Sequence, residues 1–256
     1  MSKPKILFVD IETAPMLGYV WGLFDQNVSL GQIHSDWHVL SWAAKWQGSD
    51  EMMYMDQRNS RDVENDKKIL EGIWKLLDEA DIVVGHNSKR FDIKKLNARF
   101  VVHGMQPPSP FRQIDTLAIA RKNFAMTSNK LEYLAEKLGC KKKKLKTKEF
   151  PGFELWKQCL AKNKAAFKEM ELYNKRDVDV TEEVYDKLVP WDTSINFSVY
   201  NGGKHICSCG STHLIKKGIS ASNAGVYQRW KCRDCGKHFK DKENLLPLDI
   251  RKLLKK

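Results

Sequence analysis

The sequence has no run of apolar residues approaching the ~20 that a membrane-crossing helix requires, so a helical membrane protein is excluded. Nor does it open on a secretory signal. The apolar run Ile6-Leu7-Phe8-Val9 is too short, and the acidic Asp10 and Glu12 follow at once. The expected location is the cytoplasm, with no membrane partner. Cysteine is scarce outside the last 50 residues. Cys140 and Cys159 stand alone, without the paired spacing of a disulfide framework, and read as free thiols. Proline is also sparse; Pro107, Pro108 and Pro110 gather in one place and mark a loop. No internal repeat is visible.

What is present fits a soluble chain with a polyanionic partner. Apolar residues make up 42% of 256, enough for one medium domain and a small one. The net charge is +12 and is unevenly spread. Residues 200–256 hold 13 Lys and Arg against 4 Asp and Glu, a surplus of +9 that leaves +3 for the rest. A second basic excess is Lys141 to Lys144, continued by Lys146 and Lys148. Such a run is a solvated loop or, beside a nucleic-acid site, a holder of phosphates.

Hydrophobic spacing gives the elements. Lys5 to Asp10 reads as a buried strand, followed by an irregular, aromatic-rich stretch. His38 to Trp46 and Glu51 to Met55 read as a hairpin across Gln47-Gly48-Ser49-Asp50. Helices are expected over Arg61–Ala80, Ser88–His103, Lys130–Leu138 and, in one or two pieces, Lys164–Leu188. Short strands are expected at Asp81–Gly85 and Arg112–Asp115. The fold class is therefore α/β, a mixed sheet flanked by helices. It occupies residues 1–195. Residues 191–204 read as a linker, 203–240 as a small cysteine module and 241–256 as a basic tail.

Three acidic segments carry the chemistry. Asp10 and Glu12 stand two apart at a strand end, so both carboxylates share a face. Side by side they repel unless a cation lies between them, and Mg²⁺ prefers such oxygen ligands. In Gly85-His86-Asn87-Ser88-Lys89-Arg90-Phe91-Asp92 a strand turns into a helix; Phe91 is expected in the core and Asp92 at the site. Tyr173 and Asp177 are four apart on a helix and share a face, whereas Asp179 faces elsewhere.

Together these segments resemble the DnaQ-like, or DEDD, 3′–5′ exonuclease superfamily, which has an RNase H-like fold. Asp10-x-Glu12 matches the first motif, His86-Asn87-x-x-x-Phe91-Asp92 the second and Tyr173-x-x-x-Asp177 the third. Ile114-Asp115-Thr116-Leu117 resembles a segment found between the last two, with Asp115 supporting the site or capping an element. The third motif has Tyr173 and no His-x-x-x-x-Asp, which matches the tyrosine subgroup. Gly18 to Ile33 resembles exonucleases of tailed phages, for which the location would be the host cytoplasm.

The resemblance implies that Asp10, Glu12, Asp92 and Asp177 hold two Mg²⁺ or Mn²⁺ ions, with Tyr173 positioning the attacking water. Ions ~3.5–4 Å apart would then clamp both oxygens of an in-line displacement, releasing 5′-mononucleotides. Thr13 and Asn87, within the first two motifs, are assigned to substrate binding. Lys89 and Arg90 are expected to contact phosphates, and Tyr19, Trp21 and Phe24 to stack on terminal bases or pack their loop. The partner is nucleic acid, DNA favoured over RNA, together with a replication or repair protein.

The last segment holds Cys207-Ser208-Cys209-Gly210 and Cys232-Arg233-Asp234-Cys235-Gly236. Two turns, each offering two thiolates, suit one tetrahedral Zn²⁺. The second pair resembles the zinc ribbons of transposases and phage proteins. The first pair is Cys-x-Cys, which leaves His205, His213 and His238 as alternative ligands. Arg229, Trp230, Lys231, Arg233 and Lys237 form a basic, aromatic set suited to nucleic acid or a protein partner, with Arg229 and Lys231 assigned to substrate. Two other readings fit the whole chain: a site-selective endonuclease, and a non-catalytic zinc-ribbon nucleic-acid-binding protein.

Overall fold

The computed structural model describes residues 4–202 and 205–254. Gly203 and Lys204 of the expected linker and module, Lys255 and Lys256 of the expected tail, and residues 1–3 lie outside the described residues. The chain divides into two compact units, one spanning Lys5–Tyr185 and one containing Asp186–Lys256.

The first unit runs β1 (Ile6–Thr13), β2 (Leu17–Gly18), β3 (Ile33–Ser35), β4 (Val39–Trp46), β5 (Met52–Asp56), α1 (Lys67–Glu79), β6 (Ile82–Gly85), α2 (Asp92–Val102), β7 (Arg112–Asp115), α3 (Thr116–Asn123), α4 (Leu131–Lys137), α5 (Glu154–Leu160) and α6 (Lys164–Leu188). Five strands form one sheet in the order β5-β4-β1-β6-β7. β1 pairs antiparallel with β4 and parallel with β6, which gives the mixed sheet expected from sequence. β1 extends past Asp10 to Thr13, because β4 continues the ladder to Val39. The irregular stretch contains a small hairpin, β2 with β3.

The alternation of β1 divides its side chains between two cores. Leu7, Val9 and Ile11 pack with Ile69, Ile73, Leu96 and Phe100 of α1 and α2. Phe8, on the other face, meets Tyr185 of α6 edge-on at 5.4 Å. On that side Leu40 packs with Leu155, Phe167 and Met170 of α5 and α6. α3 and α5 were not legible in the sequence; α5 lies in what reads as a basic loop. α6 is one unbroken helix. Its β-branched Val178, Val180 and Thr181 have weak helix propensity, but all three are buried, and packing prevails.

The sequence places the start of α1 at Arg61, yet helix begins only at Lys67. Asp62 accepts the Glu64 N–H at 2.9 Å, a local turn that competes with helix. Asp66, fully buried, accepts from the Val39 N–H (2.8 Å), Arg99 Nε (2.8 Å) and His103 Nε2 (2.6 Å). Asp66→Ala would strand the Arg99 guanidinium and is expected to cost about 3–5 kcal/mol. A fall in the urea midpoint at unchanged slope is the measurement.

In the second unit, helical turns at Val189–Trp191 and Phe197–Asn201 occupy part of the segment read as linker. A meander of β8 (Leu214–Ser222), β9 (Gly225–Cys232) and β10 (His238–Asn244) follows, then the short helix α7 (Leu248–Leu253) in the tail. Among the described residues no helix is long and apolar enough to cross a membrane.

Candidate active site and metal centres

Asp10 and Glu12 continue the face of β1 that Phe8 turns to α6. There they meet Asp177, and carboxylate oxygens of the three residues lie within 4.8 Å of one another. α2 opens at Asp92, which is buried at the end of β1 and accepts the Ile11 N–H through Oδ1 at 3.0 Å. Asp92 is not one of the three clustered carboxylates, but its charge acts on both Asp10 and Glu12. Phe91 does not enter the core as the sequence suggests. It is 37% exposed, with the Lys95 ammonium 5.3 Å from its ring centre, and Ile93 is buried instead. Asp92 occupies the inward direction at the first helical position, so its neighbour turns out.

Two residues without an assigned role complete the cluster. Asn174, fully buried one turn before Asp177, donates from Nδ2 to Asp10 Oδ2 at 2.6 Å. It is held in turn by Ser41 Oγ, which donates to its Oδ1 at 3.1 Å. Lys144, from the basic run, contacts Asp177 Oδ2 at 2.7 Å and lies 4.8 Å from the Tyr173 ring centre. Its position in a lysine run gave no sign of this, whereas Asn174 stands inside the third motif. Asp179 pairs with Lys45 and Lys142 and takes no part, as expected.

The electrostatics show charge in excess. Burial, then Asp177, pushes the Glu12 carboxyl up to about 8. Burial lifts Asp92 to about 7, although the Ile11 N–H opposes it. Asp10 stands well above the ordinary carboxylate range, through burial and then Asp177, Asp92 and Glu12. Burial raises Asp177 too, against Lys144. Burial and Asp177 raise the Tyr173 phenol to about 12. Asp177 Oδ1 is buried with no hydrogen-bond partner. Four carboxylates facing one ammonium, with an orphaned acidic oxygen among them, fit divalent cations.

The surroundings divide by character. Asp10, Asp177 and Lys144 border a cavity of about 610 Å³ that also holds Asn87, Arg121 and Lys130. Thr13 borders another, of about 490 Å³, with Trp37, Phe153 and Trp156. Asp115 accepts the Asn87 N–H (2.9 Å) and the Leu117 N–H (3.0 Å), so it both shapes the loop before α2 and caps α3. Lys89 and Arg90 are exposed in that loop. Trp21 and Phe24 are 97% and 83% exposed, and Tyr19 is exposed with its ring edge toward His34. Trp21 and Phe24 do not pack their loop.

A family model described as RNase_H superfamily matches residues 34–189, more than half of the sequence. The chain belongs to the RNase H superfamily. That match takes in Asp92, Asp115, Tyr173 and Asp177 and begins after Asp10 and Glu12. Among solved structures, a family B DNA polymerase from the hyperthermophilic archaeon Pyrobaculum calidifontis is similar, with a TM-score of 0.53 and 19% identity. The likeness covers 74% of this chain and 25% of the polymerase, and it shows a shared fold. No curated protein matches by sequence.

The four C-terminal cysteines lie beyond the RNase H superfamily match. Sγ atoms of Cys207, Cys209, Cys232 and Cys235 lie within 4.8 Å of one another. Cys207 and Cys235 are 3.4 Å apart, and Cys209 and Cys232 3.7 Å. A tetrahedron with metal–sulfur bonds of ~2.3 Å has edges of roughly 3.8 Å, so the cluster is compatible with a zinc ribbon. Burial opposes the Cys232 thiolate, but the Cys235 and Asp234 N–H groups bring this thiol down to about 7. The histidines have other partners or positions: His205 pairs with Asp241 at 3.1 Å, His213 with Asp234 at 3.3 Å, and His238 is exposed on β10. Lys237 does not belong to the basic surface proposed from sequence. It is buried, donating to Ser208 Oγ at 2.7 Å and to the Asp192 carbonyl. Strand alternation also turns Trp230 away from Arg229 and Lys231.

Proposed function

We propose that this chain is a metal-dependent 3′–5′ exonuclease of the tyrosine DEDD type, acting on DNA in preference to RNA. Its nuclease domain would span residues 1–195 and its zinc ribbon 203–240. The observation that carries the reading is the convergence of Asp10, Glu12 and Asp177, with the buried Asp177 Oδ1 lacking a partner. The likeness to a DNA polymerase supports a polynucleotide substrate.

In this reading Asp10, Glu12, Asp92 and Asp177 would together hold two cations, Mg²⁺ or Mn²⁺. When bound, such ions make hydroxide available near neutral pH and offset charge on the leaving 3′ oxygen. The protein's own groups set the geometry. Asn174 fixes the Asp10 carboxylate, and the Tyr173 hydroxyl orients the attacking water. Lys144, hydrogen-bonded to the phenol and to Asp177, keeps Tyr173 aimed at the cluster. Arg121 and Lys130 receive backbone phosphates on the polar side. Trp37, Phe153 and Trp156 offer stacking surface to the terminal base on the apolar side.

A time course on 5′-labelled and 3′-labelled oligonucleotides, DNA and RNA, tests this. The expected result is a ladder from the 5′ label and immediate mononucleotide from the 3′ label, with Mg²⁺ required. Cleavage of a circular single strand would replace the reading with an endonuclease. Tyr173→Phe is expected to lower the hydrolysis rate by about 10²-fold while leaving Mg²⁺ affinity by calorimetry within about a factor of two.

A further inference from the structure

We propose that the three-stranded sheet of the second unit binds single-stranded nucleic acid on the face bearing Tyr227, Arg229, Lys231, His238 and Lys240, with one unstacked base in the cavity beside it. The inference takes from the proposed function only the polynucleotide nature of the ligand; the face and the strand form come from the geometry below.

Directly paired residues of an antiparallel ladder share a face. The register sets Arg229 opposite Lys240, and Lys231 opposite His238. Like charges set opposite one another, as Arg229 and Lys240 are, destabilise a ribbon. β8 brings no carboxylate to offset them: the residues it sets opposite Lys231 and Tyr227 are Ile215 and Ser220. The acid of β10 nearest these pairs, Asp241, accepts from Trp230 Nε1 at 2.9 Å and pairs with His205. That carboxylate belongs to the opposite face. The cationic face therefore carries a built-in repulsion that a polyanion relieves. Arg229 is pre-positioned, since its Nε donates to the Lys217 carbonyl at 2.8 Å where β8 bulges. The Lys240 ammonium lies 4.5 Å from the Tyr227 ring centre, leaving an aromatic surface among the cations.

The second observation is the cavity, of about 440 Å³, bordered by Arg229 and Lys240. Ile195 and Phe197 supply apolar and aromatic wall, and Asn196 and Ser220 polar groups. That combination suits a nucleobase, which stacks on one side and hydrogen-bonds at its edge. A base held in a duplex cannot enter, which selects a single strand.

The test uses the full chain carrying Asp10→Asn and Asp177→Asn, so that bound strands survive, with fluorescein-labelled oligo-dT and a duplex of equal length followed by anisotropy. Adding Arg229→Glu with Lys240→Glu is expected to weaken oligo-dT binding by about tenfold or more. It should also flatten the log–log salt slope by about 1.4, the release expected for two phosphates. Ser220→Trp fills the cavity without changing charge. It is expected to weaken oligo-dT about fivefold and to leave the duplex unchanged. Lys216→Glu, on the Trp230 face, should change neither. Zinc content equal to that of the parent confirms folding of each variant. Unchanged affinity and slope in the Arg229→Glu, Lys240→Glu variant would overturn the proposal and leave the face to a protein partner. An equal loss with Lys216→Glu, or tighter binding to duplex than to oligo-dT, would overturn it as well. Failure of the nuclease reading would appear elsewhere, as intact strands with the unmutated chain and Mg²⁺.

Discussion

Asp10→Asn is expected to lower hydrolysis of a labelled oligonucleotide by roughly 10⁴-fold or more and, at pH 8 without divalent ions, to raise the melting temperature. Both effects come from one fact: the site concentrates negative charge. Glu12 is raised to about 8 and Asp92 to about 7, and Asp10 and Asp177 are raised as well. A carboxyl whose folded pKa exceeds its unfolded value stabilises fully below the unfolded value, near 4, and loses that contribution as pH rises through the folded one. The metal-free protein should therefore lose stability steadily between about pH 4.5 and pH 8. Removing the Asp10 charge recovers on the order of 1–2 kcal/mol at pH 8, a few degrees of melting temperature for a chain of this size. Mg²⁺ should stabilise the unmutated chain more at pH 8 than at pH 5, because at the lower pH it must displace protons. Calorimetric scans at both pH values, with and without Mg²⁺, measure this. A variant that kept cutting, or one destabilised at pH 8, would remove the metal-site account.

Loss of metal from the four-thiol cluster should unfold β8, β9 and β10 while the first unit stays folded. Structural zinc contributes about 10–16 kcal/mol of binding free energy in small modules at neutral pH, and three short strands have little else to hold them. Few side chains of β8 and β10 are buried. Elemental analysis should find one zinc per chain, falling to none in Cys232→Ser. Limited proteolysis of that variant should then cut after Tyr185 and spare the rest. Cobalt in place of zinc should show the intense visible absorption of tetrahedral thiolate ligation. Full protease resistance in a zinc-free Cys232→Ser would mean that the cluster is dispensable.

The sequence was most informative where function constrains residue type. Strand alternation paired Asp10 with Glu12 and helical spacing paired Tyr173 with Asp177, but only the resemblance to the DnaQ-like superfamily joined the two pairs into one site. The central strands followed from continuous apolar runs. What escaped was set by partners distant in sequence. Phe91 reads as core from its hydrophobicity, but Asp92 takes the inward position and Phe91 turns out. Lys144 sits in a run of like residues, and only Asp177 and Tyr173, far along the chain, single it out. Lys237 reads as surface charge, yet Ser208 and Asp192 accept it inside. α1 starts late because Asp62 holds the chain in a local turn, and the Asp66 side chain serves Val39, Arg99 and His103, none of them its own helix neighbours.

Because α6 is unbroken, Tyr173, Asn174 and Asp177 move as a single rigid rod. The rod is anchored on either side of those residues, by Phe167 and Met170 before them and by Tyr185 after them. Damage to an anchor would shift Tyr173, Asp177 and Asn174 by the same displacement, and would leave Asp10 and Glu12 behind on the sheet. Such lesions should therefore resemble one another kinetically, each a loss of alignment between helix and strand.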